Sequence, residues 1–304
     1  MPPALNLHPR DFVGYGRRLV DPQWPGGARV AVEFAINYEA GGERTILDGD
    51  DRSEELLTDI GAPSVLGRRH LGVESSFEYG SRRGIWRLLR LFGERQIKVS
   101  VLAVASALQR NLEVAAAIVE AGHEIASHGW RWIDYAGMPE VEERLQIEQA
   151  TSVLTELSGT RPMGCFTGRS SLNTRRLLVE AGYRYDQDAF NDELPYWVEV
   201  CGKPHLVIPY SLETNDNRFN DNNGFSTAKE FFQYMKDAFD LLYAEGRNEP
   251  KMMTIGLHDR LIGRPARAPG LARFLDYVQR FDDVWIARGI DIADHWHERH
   301  SSRP

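Results

Sequence analysis

The sequence predicts an α/β protein, a distorted parallel (β/α) barrel of about seven strands. Three observations lead there. From residue 28 to 300, short apolar runs alternate with amphipathic stretches of helical period, which is the pattern of repeated βα units. No GxGxxG or GxxxxGK occurs, so the alternation does not read as a doubly wound nucleotide-binding sheet. Chemically capable side chains (Glu39, His128 and His258) fall where apolar runs end, and parallel barrels gather their chemistry at strand ends.

Residues 1–28 are rich in Pro and Gly and carry Phe12, Tyr15 and Trp24. They read as an ordered arm over the domain or at a subunit contact. Residues 28–36 (ARVAVEFAI) form the first strand, which runs into Asn37-Tyr38-Glu39. Residues 45–72 are polar and acidic, with Gly and Pro, and read as a lid or interface loop. Ser81 is placed to cap a helix running to 95, with Ile85, Leu88, Leu89 and Phe92 on its apolar face. A strand over 97–104 and a helix over 111–121 follow. Gly122-His123 stops that helix, and a short apolar run leads to Ser127-His128. Pro139 opens a helix to 157. Strands over 163–166, 183–186 and 205–210 are interrupted by a helix over 173–181. Ser226 is placed to cap a helix to 244, and the strand over 252–257 ends at His258-Asp259-Arg260. A helix over 269–280, a strand over 284–287 and a helix over 290–300 close the chain. No linker divides it, so a single domain over 1–304 is expected.

With 42% hydrophobic residues and seven Trp, the chain can bury a large core. Its formal net charge is −8 and it has no basic block, which argues against nucleic acid or an anionic membrane as partner. Cys165 and Cys201 are too few for a disulfide framework and suit a reducing compartment. The first residues lack a basic stretch followed by an apolar core, and no apolar run is long enough to span a bilayer. A cytoplasmic location is expected.

Two His and a carboxylate from separate strands suit either a metal site or an acid–base site. Further strand ends bring Thr167-Gly168-Arg169, Asn191 to Trp197, and Arg260. Arginine forks match planar oxygens, whereas Arg264 and Arg267 read equally well as ion pairs. Trp130, Trp132, Tyr196 and Trp197 could wall a pocket. His295, His297 and His300 read as a solvated helix end, and His70, His123 and His205 as structural.

Taken in order, these strand ends resemble the polysaccharide deacetylase (NodB-like) family from about residue 28 to 300. In the metal-dependent members an acidic pair follows the first strand, and a His-x-x-x-His pair and a Leu-x-His motif come later. Here Asn37 falls on the general-base Asp, Glu39 on a metal-binding acid, His128 on the first metal His and Trp132 on the second. Leu257-His258 falls on the catalytic histidine motif, and Thr167, with Arg169 just beyond, on the loop Arg. A zinc site wants three protein ligands, and an amide cannot act as base near neutral pH.

The stretches 37–44, 127–135, 167–169, 192–197, 208–216 and 256–267 resemble a branch of that family, the bacterial metal-independent allantoinases. The resemblance implies hydrolysis of the cyclic amide (hydantoin) ring of a small ureide, with no cofactor and a homo-oligomeric, tetrameric assembly. Cyclic imide hydrolysis is the near alternative. A metal-dependent N-deacetylase with zinc on Glu39, His128 and His258 is the further one. For ring opening, Glu39 is expected to act as base or water-orienter supported by His128, and His258 as acid or second base partner. Asn37, Arg169 and Arg260 are expected on substrate carbonyls, and Trp130 and Tyr196 on the faces of the ring.

Overall fold

The computed structural model describes residues 10–221 and 224–302. The fold is organised around β1 (Val30–Tyr38), every residue of which is buried. A strand buried on both faces belongs in a parallel sheet covered by helices. β2 (Ser100–Ala103), β3 (Glu124–Ser127), β4 (Gly164–Cys165), β5 (Tyr185–Asp186) and β7 (Lys203–Val207) follow on one side, all parallel. β8 (Lys251–His258) lies on the other side of β1 and pairs along its length, from Val30↔Lys251 to Asn37↔His258. β9 (Val284–Ala287) pairs with the first half of β1, Val30 to Glu33, while β2 pairs with Ala35 to Tyr38. The two short strands thus meet different halves of β1.

The sheet curls toward closure. After β7, the only bridge back to β8 among the described residues is Asn215↔Gly256. It is reinforced by Thr254 Oγ1 donating to Pro209 O at 3.2 Å. This gives the distorted barrel that the sequence predicts, in a nine-stranded sheet. The strand that sequence patterning does not reveal is β6 (Tyr196–Val200), antiparallel to β7. Its hairpin sits at the outer edge of the sheet, so its residues alternate only weakly in burial.

Alternation along β1 separates two environments. Val30, Val32, Phe34, Ile36 and Tyr38 face outward into the main core with the helices. Each such buried aliphatic or aromatic side chain contributes about 1.5–3 kcal/mol. Beyond Ala31, which packs in a separate apolar cluster with Trp24 and Met252, the intervening residues point into the barrel as three layers. The lower layer is polar: Glu33 on β1, Ser100 on β2, Glu124 on β3 and Thr254 on β8, joined by Gln187. A belt of Ala35, Leu102, Ala126, Phe166 and Tyr210 lies above it. Asn37, Glu39, His128 and His258 form the top. In β8, Gly256 is required at the belt, because a Cβ there would collide with Asn215 Nδ2 and Tyr210 Oη.

The helices around the sheet are α1 (Leu71–Tyr79), α2 (Ile85–Gly93), α3 (Ala105–Gln109), α4 (Leu112–Glu120), α5 (Glu140–Ser158), α6 (Thr174–Glu180), α7 (Ala228–Glu245), α8 (Ala268–Val278) and α9 (Gly289–Arg299). Two caps differ from expectation. His70, not Ser81, caps the first helical segment, accepting from Val73 N at 3.3 Å. Ser81 lies in a π-turn, Gly80–Gly84, that joins α1 to α2, and its hydroxyl meets Tyr38 Oη at 2.8 Å. The π-turn lets the chain pass against Asp259, where a Cβ on Gly84 would strike the Asp259 backbone. Thr227 rather than Ser226 caps α7, in a capping box with Glu230.

Residues 1–9 of the N-terminal arm lie outside the described residues. Trp24 is buried against Trp285 and Trp296 and donates to Lys251 O at 3.0 Å. The last helix holds this arm: His295 and His300 both meet Pro22 O, at 2.8 and 3.1 Å. They are engaged rather than solvated. His123 accepts from Val99 N, and His205 pairs with Asp186 at 3.0 Å. No helix among the described residues is long and apolar enough to cross a membrane.

Candidate active site

The inward columns of β1, β3 and β8 end together at the C-terminal rim. Asn37 and His258 are register partners. Glu39 follows β1, and His128 follows β3, its N–H donating to Ala103 O at 2.9 Å. The three expected chemical groups converge: His128 Nε2 is 3.0 Å from Glu39 Oε1, and His258 Nε2 is 3.6 Å from the same oxygen. All three are almost completely buried.

Arg260 completes the cluster. Its Nη2 is 2.6 Å from Glu39 Oε2. Its Nε donates to Leu57 O at 2.8 Å, and its guanidinium lies 4.2 Å from the Phe77 ring and 5.2 Å from that of Trp132. Burial pushes the Glu39 carboxyl up most strongly, but Arg260, His258 and His128 together outweigh it and hold the group well below the usual carboxylate range. The guanidinium is fully buried and is the counter-ion of Glu39, while its Nη1 has no hydrogen-bond partner.

His128 is flanked by acceptors on both sides. Its Nδ1 lies 2.5 Å from Phe166 O and its Nε2 lies 3.0 Å from Glu39 Oε1. His258 has a partner that sequence reasoning did not single out as functional. Asp216 Oδ1 is 2.6 Å from His258 Nδ1, and Asp216 Oδ2 accepts from His258 N at 2.7 Å and Ile262 N at 3.0 Å. Burial pulls the His258 imidazole down, but Asp216 and then Glu39 more than reverse this and raise it above its ordinary value. In the sequence Asp216 stands out only as the end of the 208–216 stretch that carries the family resemblance, and its contact with His258 is purely tertiary.

The other expected residues divide. Asn37 Nδ2 donates to Tyr210 Oη at 2.9 Å and Leu257 O at 3.2 Å, and the buried Oδ1 has no partner. Its free function is that of an acceptor, not the carbonyl donor expected. Arg169 reaches the rim, with its guanidinium 3.8 Å from the Trp132 ring. Trp132, not Trp130, is thus the ring between the two arginines, whereas Trp130 is half-buried against the main core. Tyr196 lies on the edge strand β6 with its hydroxyl donating to Asn191 at 2.9 Å. It belongs to the hairpin, and its contact with Asn191 points to local structure rather than to a ring face. Arg267 pairs with Asp59 at 2.7 Å, and Arg264 lies 3.7 Å from the Tyr79 ring with Asp59 beside it.

The donor set does not suit the divalent cation that the fold family uses. Glu39 already shares an oxygen with a fixed guanidinium, His128 has both nitrogens committed to acceptors, and Trp132 stands where a further imidazole would be needed. A cation placed among these groups would meet Arg260 at close range in a water-poor site, where repulsion is severe. Among the described residues, no group of three or more His, Cys, Asp or Glu side chains is arranged to hold a metal ion.

A curled parallel sheet carrying an acid after its first strand, a histidine after its third and a Leu-His motif at the end of β8 defines a polysaccharide deacetylase fold. The chain belongs to the polysaccharide deacetylase family. The family profile matches residues 71–185. A putative polysaccharide deacetylase of Schizosaccharomyces pombe is 39% identical, across 96% of this chain and 98% of its own. Among solved structures, the PuuE allantoinase is 53% identical with a TM-score of 0.95, over 96% of this chain and 98% of its own. A probable polysaccharide deacetylase from Pseudomonas aeruginosa PAO1 is 55% identical with a TM-score of 0.94, over 96% and 99%. The protein is thus a deacetylase-family hydrolase.

Proposed function

We propose that this hydrolase opens the ring amide of a small cyclic ureide, converting allantoin to allantoate, without a catalytic metal. One observation carries the reading: a guanidinium, Arg260, pairs with the acid that the metal-dependent members use as a ligand. The likeness to the PuuE allantoinase supports the choice of substrate.

In the proposed reaction, water is held by Glu39 at the carbonyl of the ring. Its oxygen forms the new C–O bond, its proton passes to Glu39, and the C–N bond breaks as His258 Nε2 gives its proton to the leaving nitrogen. Glu39 is a weak base while Arg260 and the protonated His258 lie against it. When His258 gives up its proton one of those cations is lost, so the proton affinity of Glu39 rises in the same step. His128 donates to Glu39 and fixes the carboxylate. Asn37 Oδ1 is an acceptor for a ring N–H. We extend the proposal to a homo-oligomeric assembly. Leu47, Leu56, Ile60, Leu66 and Leu71 are all exposed within the 45–72 excursion, and exposed apolar side chains along one segment suit a subunit contact.

The test is ring opening of allantoin by the purified protein with and without a strong chelator, with succinimide and dihydrouracil in parallel. Chelator-resistant turnover of allantoin is expected. Turnover of the imides alone would move the assignment to cyclic imide hydrolase, and abolition by chelator would defeat the metal-free reading. Glu39→Gln is expected to remove most turnover while allantoin still binds, and near-normal kcat in that variant would reject Glu39 as the group that holds the water.

A further inference from the structure

The 45–72 excursion delivers a second carboxylate to the rim of this site. Glu54 is buried, its side chain 3% exposed. Its Oε1 accepts from Glu55 N at 3.0 Å and Leu56 N at 3.1 Å, while Oε2, also buried, has no partner. Beside it stands Arg169, whose buried Nη2 is likewise without a partner. Arg169 Nη1 and Glu54 Oε2 are 3.7 Å apart, which is too far for a hydrogen bond.

Neither residue is loosely held. Asp188 accepts from Thr167 N at 3.0 and 3.1 Å, from Thr167 Oγ1 at 2.9 Å and from Gly168 N at 2.8 Å. Arg169 O accepts from Tyr135 N at 3.0 Å, and Glu54 N donates to Arg44 O at 3.0 Å. The Arg169 guanidinium lies on Trp132. Two opposite charges are therefore fixed within reach of each other without closing. Leaving a buried donor and a buried acceptor unsatisfied costs about 1–3 kcal/mol each or more, a cost that a third group bridging them would remove.

Its position says what that group is joined to. Trp132 is a wall shared by Arg169 and Arg260, and Arg260 holds Glu39. Gly168 lies against His128 Cε1. The pair is thus one aromatic ring away from the reacting centre.

We infer that Glu54 and Arg169 are a specificity pair that reads a urea unit carried by the substrate beyond its reacting ring, with Glu54 Oε2 accepting a urea N–H and Arg169 Nη2 donating to the urea carbonyl. A urea presents an N–H and a C=O side by side in one plane, which matches a carboxylate next to a guanidinium fork. A plain imide or hydantoin ring has no such arm. A site built to hydrogen-bond a group discriminates strongly against the analogue that lacks it, because its own polar atoms then stay unpaired. The inference rests on the reading in which the reacting ring sits at Glu39.

The experiment compares allantoin, which has the ureido arm, with hydantoin, which has the same ring without it. Binding is measured by calorimetry and turnover as kcat/KM, for wild type, Glu54→Gln and Arg169→Gln. In wild type, allantoin is expected to bind at least tenfold tighter than hydantoin, and both variants are expected to lower that ratio by at least tenfold. A ratio unchanged in both variants overturns the pair, whatever the loss in absolute affinity. Should Glu54→Gln not fold, as judged by its melting curve, Arg169→Gln decides alone. Wild type that prefers allantoin in binding but opens neither ring would refute the hydrolase reading and leave the pair standing. Turnover of allantoin with an unaltered ratio in the variants would do the reverse.

Discussion

Arg260 places Nη2 2.6 Å from Glu39 Oε2, and both side chains are excluded from solvent. This pairing accounts for two features at once. It keeps a carboxylate ionised inside a barrel, and it sets a fixed positive charge directly against that carboxylate.

Arg260→Met should let the carboxyl of Glu39 rise, because burial, its largest influence, is then opposed only by His258 and His128. Activity that needs the ionised carboxylate is lost as pH falls through that group's pKa. The acid limb of the kcat/KM profile is therefore expected to move to higher pH, with a fall of about 100-fold at neutral pH. An acid limb that does not move would show that Glu39 is not the group titrating there.

Asp216→Asn tests the His258 pairing. The Asp216 carboxylate is the strongest influence raising His258, so its removal lowers that imidazole toward or below its ordinary value. A general acid works only while protonated. The alkaline limb of kcat should therefore shift to lower pH, and kcat should fall by about 10²–10⁴-fold. KM should change much less. The sign for stability is the same: a histidine raised in the fold stabilises it below its unfolded pKa, and this is lost as pH rises through the folded value.

The lower layer of the barrel leads to a stability prediction. Ser100 Oγ is 2.9 Å from both Glu33 Oε1 and Glu124 Oε2 and accepts from Gly289 N at 2.7 Å. One hydroxyl proton cannot serve both carboxylates, so one of them carries its own. Burial, then the Glu124 charge, push Glu33 up to about 7. Between the ordinary carboxyl range and that value the folded chain holds a proton that the unfolded chain has released. Stability should thus fall as pH rises across this window, by about 1.4 kcal/mol per pH unit per proton. Glu33→Gln keeps the hydrogen bonds, with its amide toward Ser100, and should flatten that dependence and raise stability at pH about 8. Denaturant titrations at several pH values check this, and an unchanged slope would show that Glu33 is ionised throughout.

Much of the architecture was legible in residue order. The apolar runs ahead of Asn37-Tyr38-Glu39, His128 and His258 placed those residues at strand ends, and Glu39, His128 and His258 do converge. The misplacements have a common origin. Trp130 and Trp132 are equally aromatic neighbours two residues apart, and only the path of the loop after β3 decides which ring faces the arginines. Tyr196 sits in a polar, aromatic-rich stretch that looks like a pocket wall until its pairing with β7 puts it on a sheet edge. The π-turn at Gly80–Gly84 has no local signature beyond two glycines, because its cause, Asp259, lies far along the chain.

The α/β class, the strand ends that carry chemistry and the family could all be read from residue order, because periodicity and short motifs are local properties of the chain. Only the tertiary structure decided what each polar group does. That Arg260 meets Glu39, whether Asn37 donates or accepts, and that Asp216 reaches His258 all depend on contacts between segments distant in the chain. Charge and hydrogen-bond roles are set by the nearest partner in a low-dielectric interior, and a one-dimensional pattern does not contain that distance.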